Sequence, residues 1–208
     1  VFDLVRDGNK KVRLDIKGEE TELDKMVIEA ISDPLIHIIR NAVDHGIETT
    51  DERKRLGKPE SGTINLEAYH EGNHVVIQIA DDGRGLDIDR IKAKAISGNF
   101  ASPEELERMS PKELTGLIMQ PGFSTTSKVT HTSGRGVGMD VVKQNIEKLN
   151  GTLEIDSTPG SETCFRIKIP LTLAIIPALL VQVRDELFTI PLSTVEETIR
   201  IAPDDLST

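Results

Sequence analysis

Only one cysteine, Cys164, occurs in 208 residues, so an internal disulfide is excluded and the chain suits a reducing, cytoplasmic compartment. No apolar run approaches the ~18 residues needed to cross a bilayer. No leader opens the chain, so neither a membrane span nor a signal peptide is expected. Basic residues are in the minority: 25 Lys and Arg against 35 Asp and Glu give a formal charge of −10. That balance argues against nucleic acid as the main partner, which favours a basic stripe. An anionic ligand remains compatible where glycine loops and a divalent cation neutralise it locally. Repeats and low-complexity tracts are absent. Val1 in place of a start methionine reads as the edge of a piece cut from a longer chain.

What is present is a core-forming 37% of hydrophobic residues and a 29% share of charged ones. The length suits one domain, or one domain plus a fragment. Val12, Leu14 and Ile16 alternate with Arg13, Asp15 and Lys17, the period of a half-buried strand. A helix is expected over about 22–43. Its apolar arc holds Ile28, Ile31, Leu35, Ile38, Ile39, Ala42 and Val43, and Asp33-Pro34 predicts a kink or a junction between two helices. Residues 48–62 read as a charged surface connection with at most one helical turn. Strands over 63–70 and 74–81 flank a hairpin turn at Glu71-Gly72-Asn73. Helices are expected over 87–98, twice within 102–119, and over 137–149. Residues 121–133, poor in apolar side chains, predict a mobile loop. Strands at 152–157 and 162–169 complete the pattern. Phe165, Ile167 and Ile169 there oppose Arg166 and Lys168, so the sheet is covered on one face. The expected fold class is α/β, a two-layer sandwich of a mixed, mostly antiparallel sheet with helices on one face. After Pro170 the texture changes, with strand-like runs at 178–183, 186–190 and 193–201. Residues 1–170 are therefore expected to be one domain, and 171–208 a linker and the truncated start of a second.

Three features carry chemistry. His37, Asn41 and His45, at i, i+4 and i+8, form a polar stripe beside the apolar arc of the long helix. In the strand ending at Asp81, parity puts that carboxylate on the same face as Val75, Ile77 and Ile79, with Asp82 pointing the other way. An inward carboxylate needs a donor. The exocyclic amine of adenine is one, and Gly83 and Gly85 would let a flat base approach the backbone. A tight turn with a helix-capping aspartate has the same sequence. Finally, Gly134, Gly136 and Gly138 open a helix at Met139, where successive amides and the helix dipole favour a phosphate. A hinge would look similar, and neither the lysine of a P-loop nor the spacing of a dinucleotide fingerprint is present.

In order along the chain stand His-x-x-x-Asn on a helix, Asp-x-Gly-x-Gly after a strand, Gly122-Phe123-Ser124-Thr125, Gly-x-Gly-x-Gly opening a helix, and Gly160-Ser161-Glu162-Thr163. This succession resembles the nucleotide-binding fold shared by histidine kinases, DNA gyrase, Hsp90 and MutL. Within it, the stretches 34–48, 122–125 and 134–142 resemble the chemotaxis histidine kinase (CheA) family. The resemblance covers about 1–170 as an ATP-binding kinase domain, and 178–201 are similar to the opening strands of a regulatory domain related to the coupling protein CheW. It implies a protein-histidine kinase using ATP and Mg²⁺. Asn41 would hold the Mg²⁺, and Asp81 with Thr163 would receive the adenine amine. Gly83 and Gly85 would shape the base pocket, and Gly134, Gly136, Gly138 and Met139 would close on the phosphates. Ser124 and Thr125 would begin a lid, Arg90 and Lys94 would contact phosphate, and His45 the nucleotide. His37 would be the catalytic residue for the incoming imidazole. The implied partners are a phosphotransfer domain bearing the acceptor histidine, a CheW-like coupling protein and chemoreceptors; nucleic acid and membrane insertion are not implied. Same-fold ATP hydrolases place a glutamate four residues before the asparagine, where this chain has His37. An adaptor that binds nucleotide without turnover is the alternative of a different class.

Overall fold

The computed structural model describes residues 2–6, 9–123, 138–171, 178–184 and 186–195. The chain divides into two units, Val1–Leu171 and Thr172–Thr208. In the first, β1 (Phe2–Arg6), β2 (Lys10–Lys17), α1 (Lys25–Asn41), a π-helical turn (Ala42–Gly46) and α2 (Thr50–Arg55) lead into β3 (Ser61–Glu71) and β4 (His74–Asp81). Then come α3 (Ile88–Ser97), α4 (Pro103–Arg108), α5 (Pro111–Gly116), α6 (Met139–Glu147), β5 (Thr152–Thr158) and β6 (Glu162–Pro170). The six strands form one sheet in the order β1-β2-β3-β4-β6-β5. Every neighbouring pair is antiparallel except β2–β3, whose parallel pairing requires a crossover, which α1 and α2 provide. The fold is the expected mixed, mostly antiparallel α/β arrangement. Gly72, at φ 59°, opens the two-residue turn between β3 and β4.

One face of this sheet meets the helices. Val12 and Leu14 of β2, Ile64 of β3, Val75, Ile77 and Ile79 of β4, and Phe165, Ile167 and Ile169 of β6 are buried with Ile31 and Ile38 of α1 and Val142 and Ile146 of α6. A satellite core lies beside it, joining Ile91 and Ala95 of α3 to Leu106, Leu114, Leu117 and Phe123. Capping boxes at Ser102/Glu105 and Ser110/Glu113, each followed by a proline in the first turn, start α4 and α5 sharply enough for two short helices to fit there.

Several expectations are corrected. α1 starts at Lys25, capped by Asp24, and runs unbroken through Pro34. That proline is fully buried, and its packing offsets the one helical hydrogen bond it removes, so no junction forms. Ile28 stands 47% exposed, outside the arc that Ile31, Pro34 and Ile38 form, while Leu35 and Ile39 are half-buried at its edge. The helix does not end as an α-helix. The amide of Ile47 donates to Ala42 at 2.7 Å, a π-type closure, and the Lys10 ammonium donates to the Val43 and Asp44 carbonyls at 2.9 and 2.8 Å. Strand β1 has no counterpart in the expected pattern. Residues 48–62 are not merely a surface connection: Arg53 and Glu48 are 1% and 2% exposed. In the second unit β7 (Ala178–Val183) and β8 (Glu186–Pro191) form the expected antiparallel hairpin. Leu192–Thr194 is a short 3-10 turn at the start of the β-branched run 193–201, of which 196–201 lie outside the described residues.

Candidate functional site

The polar stripe of α1, the end of β4 and the start of α6 converge on one cavity of about 480 Å³, a volume suited to a nucleotide-sized ligand. His37, Asn41, His45, Asp81, Gly85, Arg90, Gly138, Met139 and Thr163 all line it. Gly83 and Lys94 are not among the lining residues, and Lys94 is exposed. Ser124, Thr125, Gly134 and Gly136, with residues 124–133 of the expected mobile loop, lie outside the described residues. Sequence reasoning missed Arg84, Leu86, Asp87, Ile118, Phe123 and Phe165, which line the wall together with Ala42, Asp44, Gly46 and Ile91. Phe123 alone carried a usable signal, in the Gly-Phe-Ser-Thr run. Its ring packs edge-on against Phe100 at 5.0 Å, so the satellite core reaches the cavity.

The register of the sheet places Asp81. It is paired with Thr163 of β6 and Ile64 of β3, and its side chain is 4% exposed. Its Oδ1 accepts a hydrogen bond from the Gly83 amide at 3.0 Å. Burial pushes the carboxyl up to about 6, and the charges of Asp82 and Glu48 push the same way; the Gly83 amide and Lys58 only partly offset this. A buried acid with so little donor support is waiting for a donor from the cavity.

Gly83 is explained by the fold itself. A Cβ there would lie 2.3 Å from the Gly46 carbonyl oxygen and 2.7 Å from Asp81 Oδ1. The Arg84 amide donates to that same Gly46 carbonyl at 3.0 Å, so the end of the π turn is joined to the Asp81–Gly85 turn. This contact holds Asp81 at a fixed distance from the α1 stripe. Gly85, with φ 70°, would bring a Cβ within 2.4 Å of the Thr158 carbonyl oxygen, at the turn joining β5 and β6.

Across the cavity, the Asn41 amide nitrogen donates to Met139 Sδ at 3.6 Å, which ties α1 to the first residue of α6. Gly138 caps that helix, whose N-terminal end thus faces the cavity and favours negative charge. His37, one turn before Asn41, is half-buried. Desolvation, with the Arg40 charge added, holds its imidazole below the ordinary histidine range, so it is neutral at pH 7 and free to accept a proton. A buried carboxylate, a helix N-terminus and a neutral imidazole therefore share one space.

Residues 30–173 match the family model described as histidine kinase-, DNA gyrase B-, and HSP90-like ATPase. The chain belongs to that family. Over its full length it is 58% identical to the sensor histidine kinase CheAY of Helicobacter pylori, of which it covers 26%. It is 49% identical to the chemotaxis protein CheA of Treponema pallidum over 100% of its length and 25% of that protein, and 46% identical to that of Bacillus subtilis over 99% and 31%. The chain thus spans about a quarter to a third of these relatives. Membership of this ATPase family supports the use of ATP. Among the described residues no helix is long and apolar enough to cross a membrane.

Asp82 does more than face away from Asp81. Its Oδ1 accepts from the Thr63 amide at 2.8 Å and its Oδ2 from Arg53 Nη2 at 2.9 Å. An amide in that place must turn its NH₂ towards one of the two donors. Asp82→Asn is expected to lower folding stability by about 1–3 kcal/mol, the cost of a buried donor left unpaired. Urea unfolding of the variant checks this, and an unchanged midpoint would contradict it.

Proposed function

We propose that this chain is the ATP-binding, phosphoryl-donating part of a chemotaxis protein-histidine kinase, passing the γ-phosphoryl group of ATP to a histidine on a separate phosphotransfer domain. The observation that carries this reading is the neutral His37 in the cavity one helical turn from Asn41, where a water-activating carboxylate of a hydrolase would stand. In the transfer, a ring nitrogen of the acceptor histidine forms a bond to the γ-phosphorus. The bond from that phosphorus to the β–γ bridging oxygen breaks, and its electron pair leaves with ADP. Asp81, with Thr163 beside it, holds the adenine amine. The N-terminus of α6 at Gly138 and Met139 receives phosphate oxygens, with Arg90 at the rim. His37 orients the incoming imidazole and takes the proton that its ring sheds.

The donor set also suits Mg²⁺. Among the described residues no cluster of three or more His, Cys, Asp or Glu side chains could hold a metal alone. The Asn41 amide nitrogen is engaged by Met139, leaving its oxygen for a hard cation that takes its other ligands from phosphate and water. Bound there, the ion supplies charge neutralisation of the triphosphate. Asn41→Ala is therefore expected to weaken Mg-ATP binding by more than it weakens ATP in excess chelator, as calorimetry on both forms would show. Equal losses would remove Asn41 from the metal.

Residues 1–170 are read as the kinase domain and 171–208 as a linker and the start of a CheW-like regulatory domain, through which a coupling protein and chemoreceptors would act in the cytoplasm. Labelled ATP and an added phosphotransfer domain test the main reading. Phosphoryl-histidine on the added domain supports it; free phosphate alone, or binding without turnover, would replace it with a hydrolase or an adaptor.

A further inference from the structure

Behind the Asp81 wall lies a buried ionic group that the reaction as described does not use. Arg53, 1% exposed, donates from Nη1 to Glu48 at 3.0 Å and to the Asp82 carbonyl at 3.1 Å, from Nη2 to the Asp82 carboxylate at 2.9 Å, and from Nε to the Pro59 carbonyl at 2.6 Å. Lys58 donates to Glu48 at 2.8 Å, to the Asp82 carbonyl at 3.1 Å and to the Gly83 carbonyl at 2.7 Å. Glu48 is 2% exposed and holds both cations in place.

The geometry of these bonds is selective. Two consecutive carbonyls, those of Asp82 and Gly83, accept from side chains of the α2 region. The peptide between them carries the Gly83 amide that donates to Asp81 Oδ1. With the carbonyl of this peptide and that of the next both held from behind, the peptide is kept from rotating, so its amide stays aimed at the carboxylate. On the other side the same turn is held by the Gly46 carbonyl, which accepts from the Arg84 amide. Replacing a buried charge network with apolar residues is often neutral for stability. Stability alone therefore does not require one here. We propose that Lys58 and Arg53 are positioning residues that set the Asp82–Gly83 peptide, and through it Asp81, for recognition of the 6-amino group of adenine. The proposal rests on the reading of Asp81 as the adenine acceptor.

The test compares binding of ATP with that of its 6-hydrogen purine analogue, which lacks only the amine. Measurements use Lys58→Met and Lys58→Arg beside the unaltered chain, with unfolding followed on the same preparations. The unaltered chain is expected to prefer ATP by roughly tenfold or more, the worth of one hydrogen bond to a charged group. Lys58→Met should lose most of that preference while binding the analogue within a few-fold of the unaltered chain. Lys58→Arg, which keeps charge and reach, should restore it. If Lys58→Met melts early but the folded protein keeps the preference, the network is structural and the proposal fails. If Lys58→Met does not fold, Lys58→Arg with the full preference supports the proposal, and with none it overturns it, provided that variant folds with an unchanged melting temperature. Absence of any preference in the unaltered chain would overturn the adenine reading of Asp81 itself, a failure distinct from that of Lys58 alone.

Discussion

Asp81→Asn is expected to make the empty protein more stable and a much poorer binder of ATP. The carboxyl, ordinarily near 3.8, is pushed to about 6 by burial. The unfolded chain therefore releases this proton at a lower pH than the folded one. The folded state is penalised progressively as pH rises from about 4 through 6, and the full penalty, on the order of 3 kcal/mol, is present at pH 7. The neutral amide of asparagine removes it, keeps an oxygen for the Gly83 amide, and loses part of the gain to its own desolvation. A net increase of about 1–2 kcal/mol at pH 7 is expected. The difference between variant and unaltered chain should shrink towards pH 4 and level off only below it, where the aspartic acid becomes protonated in the unfolded state as well as the folded one. Binding runs the other way. The amide presents a donor as readily as an acceptor to the adenine amine, and a loss of about 1–3 kcal/mol in ATP affinity follows, roughly 5- to 150-fold. Unfolding curves at pH 4, 5, 6 and 7, with ATP titrations at pH 7, check both halves. A variant less stable at every pH would mean that Asp81 has donor support in the empty protein beyond the Gly83 amide. The contrast with Asp82→Asn is the sharpest feature. The neighbouring aspartate is supported by Arg53 and the Thr63 amide, and its loss destabilises.

His37→Ala is expected to separate binding from chemistry. The imidazole is neutral at pH 7 because burial and the Arg40 charge lower its pKa, so the base form is present across the physiological range. Nitrogen is a poor Mg²⁺ ligand, and His37 lies on the stripe one turn from Asn41. Its removal should therefore leave ATP affinity within a few-fold. Transfer to an added phosphotransfer domain should slow by roughly 10²- to 10⁴-fold, as for a lost acid–base group. Single-turnover transfer in the unaltered chain should fall off on acidification through the depressed imidazole pKa, and the alanine variant should lack that limb. A lowered melting temperature with near-normal transfer by the folded protein would make His37 a packing residue of the helix edge.

Strands β2 to β8, the α3–α5 turns and the polar stripe were legible in the chain because they are local properties. Alternation along 75–81 places Asp81 inward whatever surrounds it, and Ser-Pro followed by Glu starts a helix by its own hydrogen bonds. The five motifs were equally legible in order, though not the distances between them. Tertiary structure decided what depends on partners far along the chain. Arg53 looks like any surface arginine until Asp82, 29 residues on, and Glu48 remove it from water. Strand β1 follows from pairing with β2, and the π turn from the Lys10 ammonium that reaches its carbonyls. The close approach of Gly83 to the Gly46 carbonyl unites two glycines that read locally as a turn and a helix stop. No periodicity encodes that contact. It arises because burying Ile38 and Ile79 in one core brings the end of α1 against the end of β4, leaving no room there for a side chain.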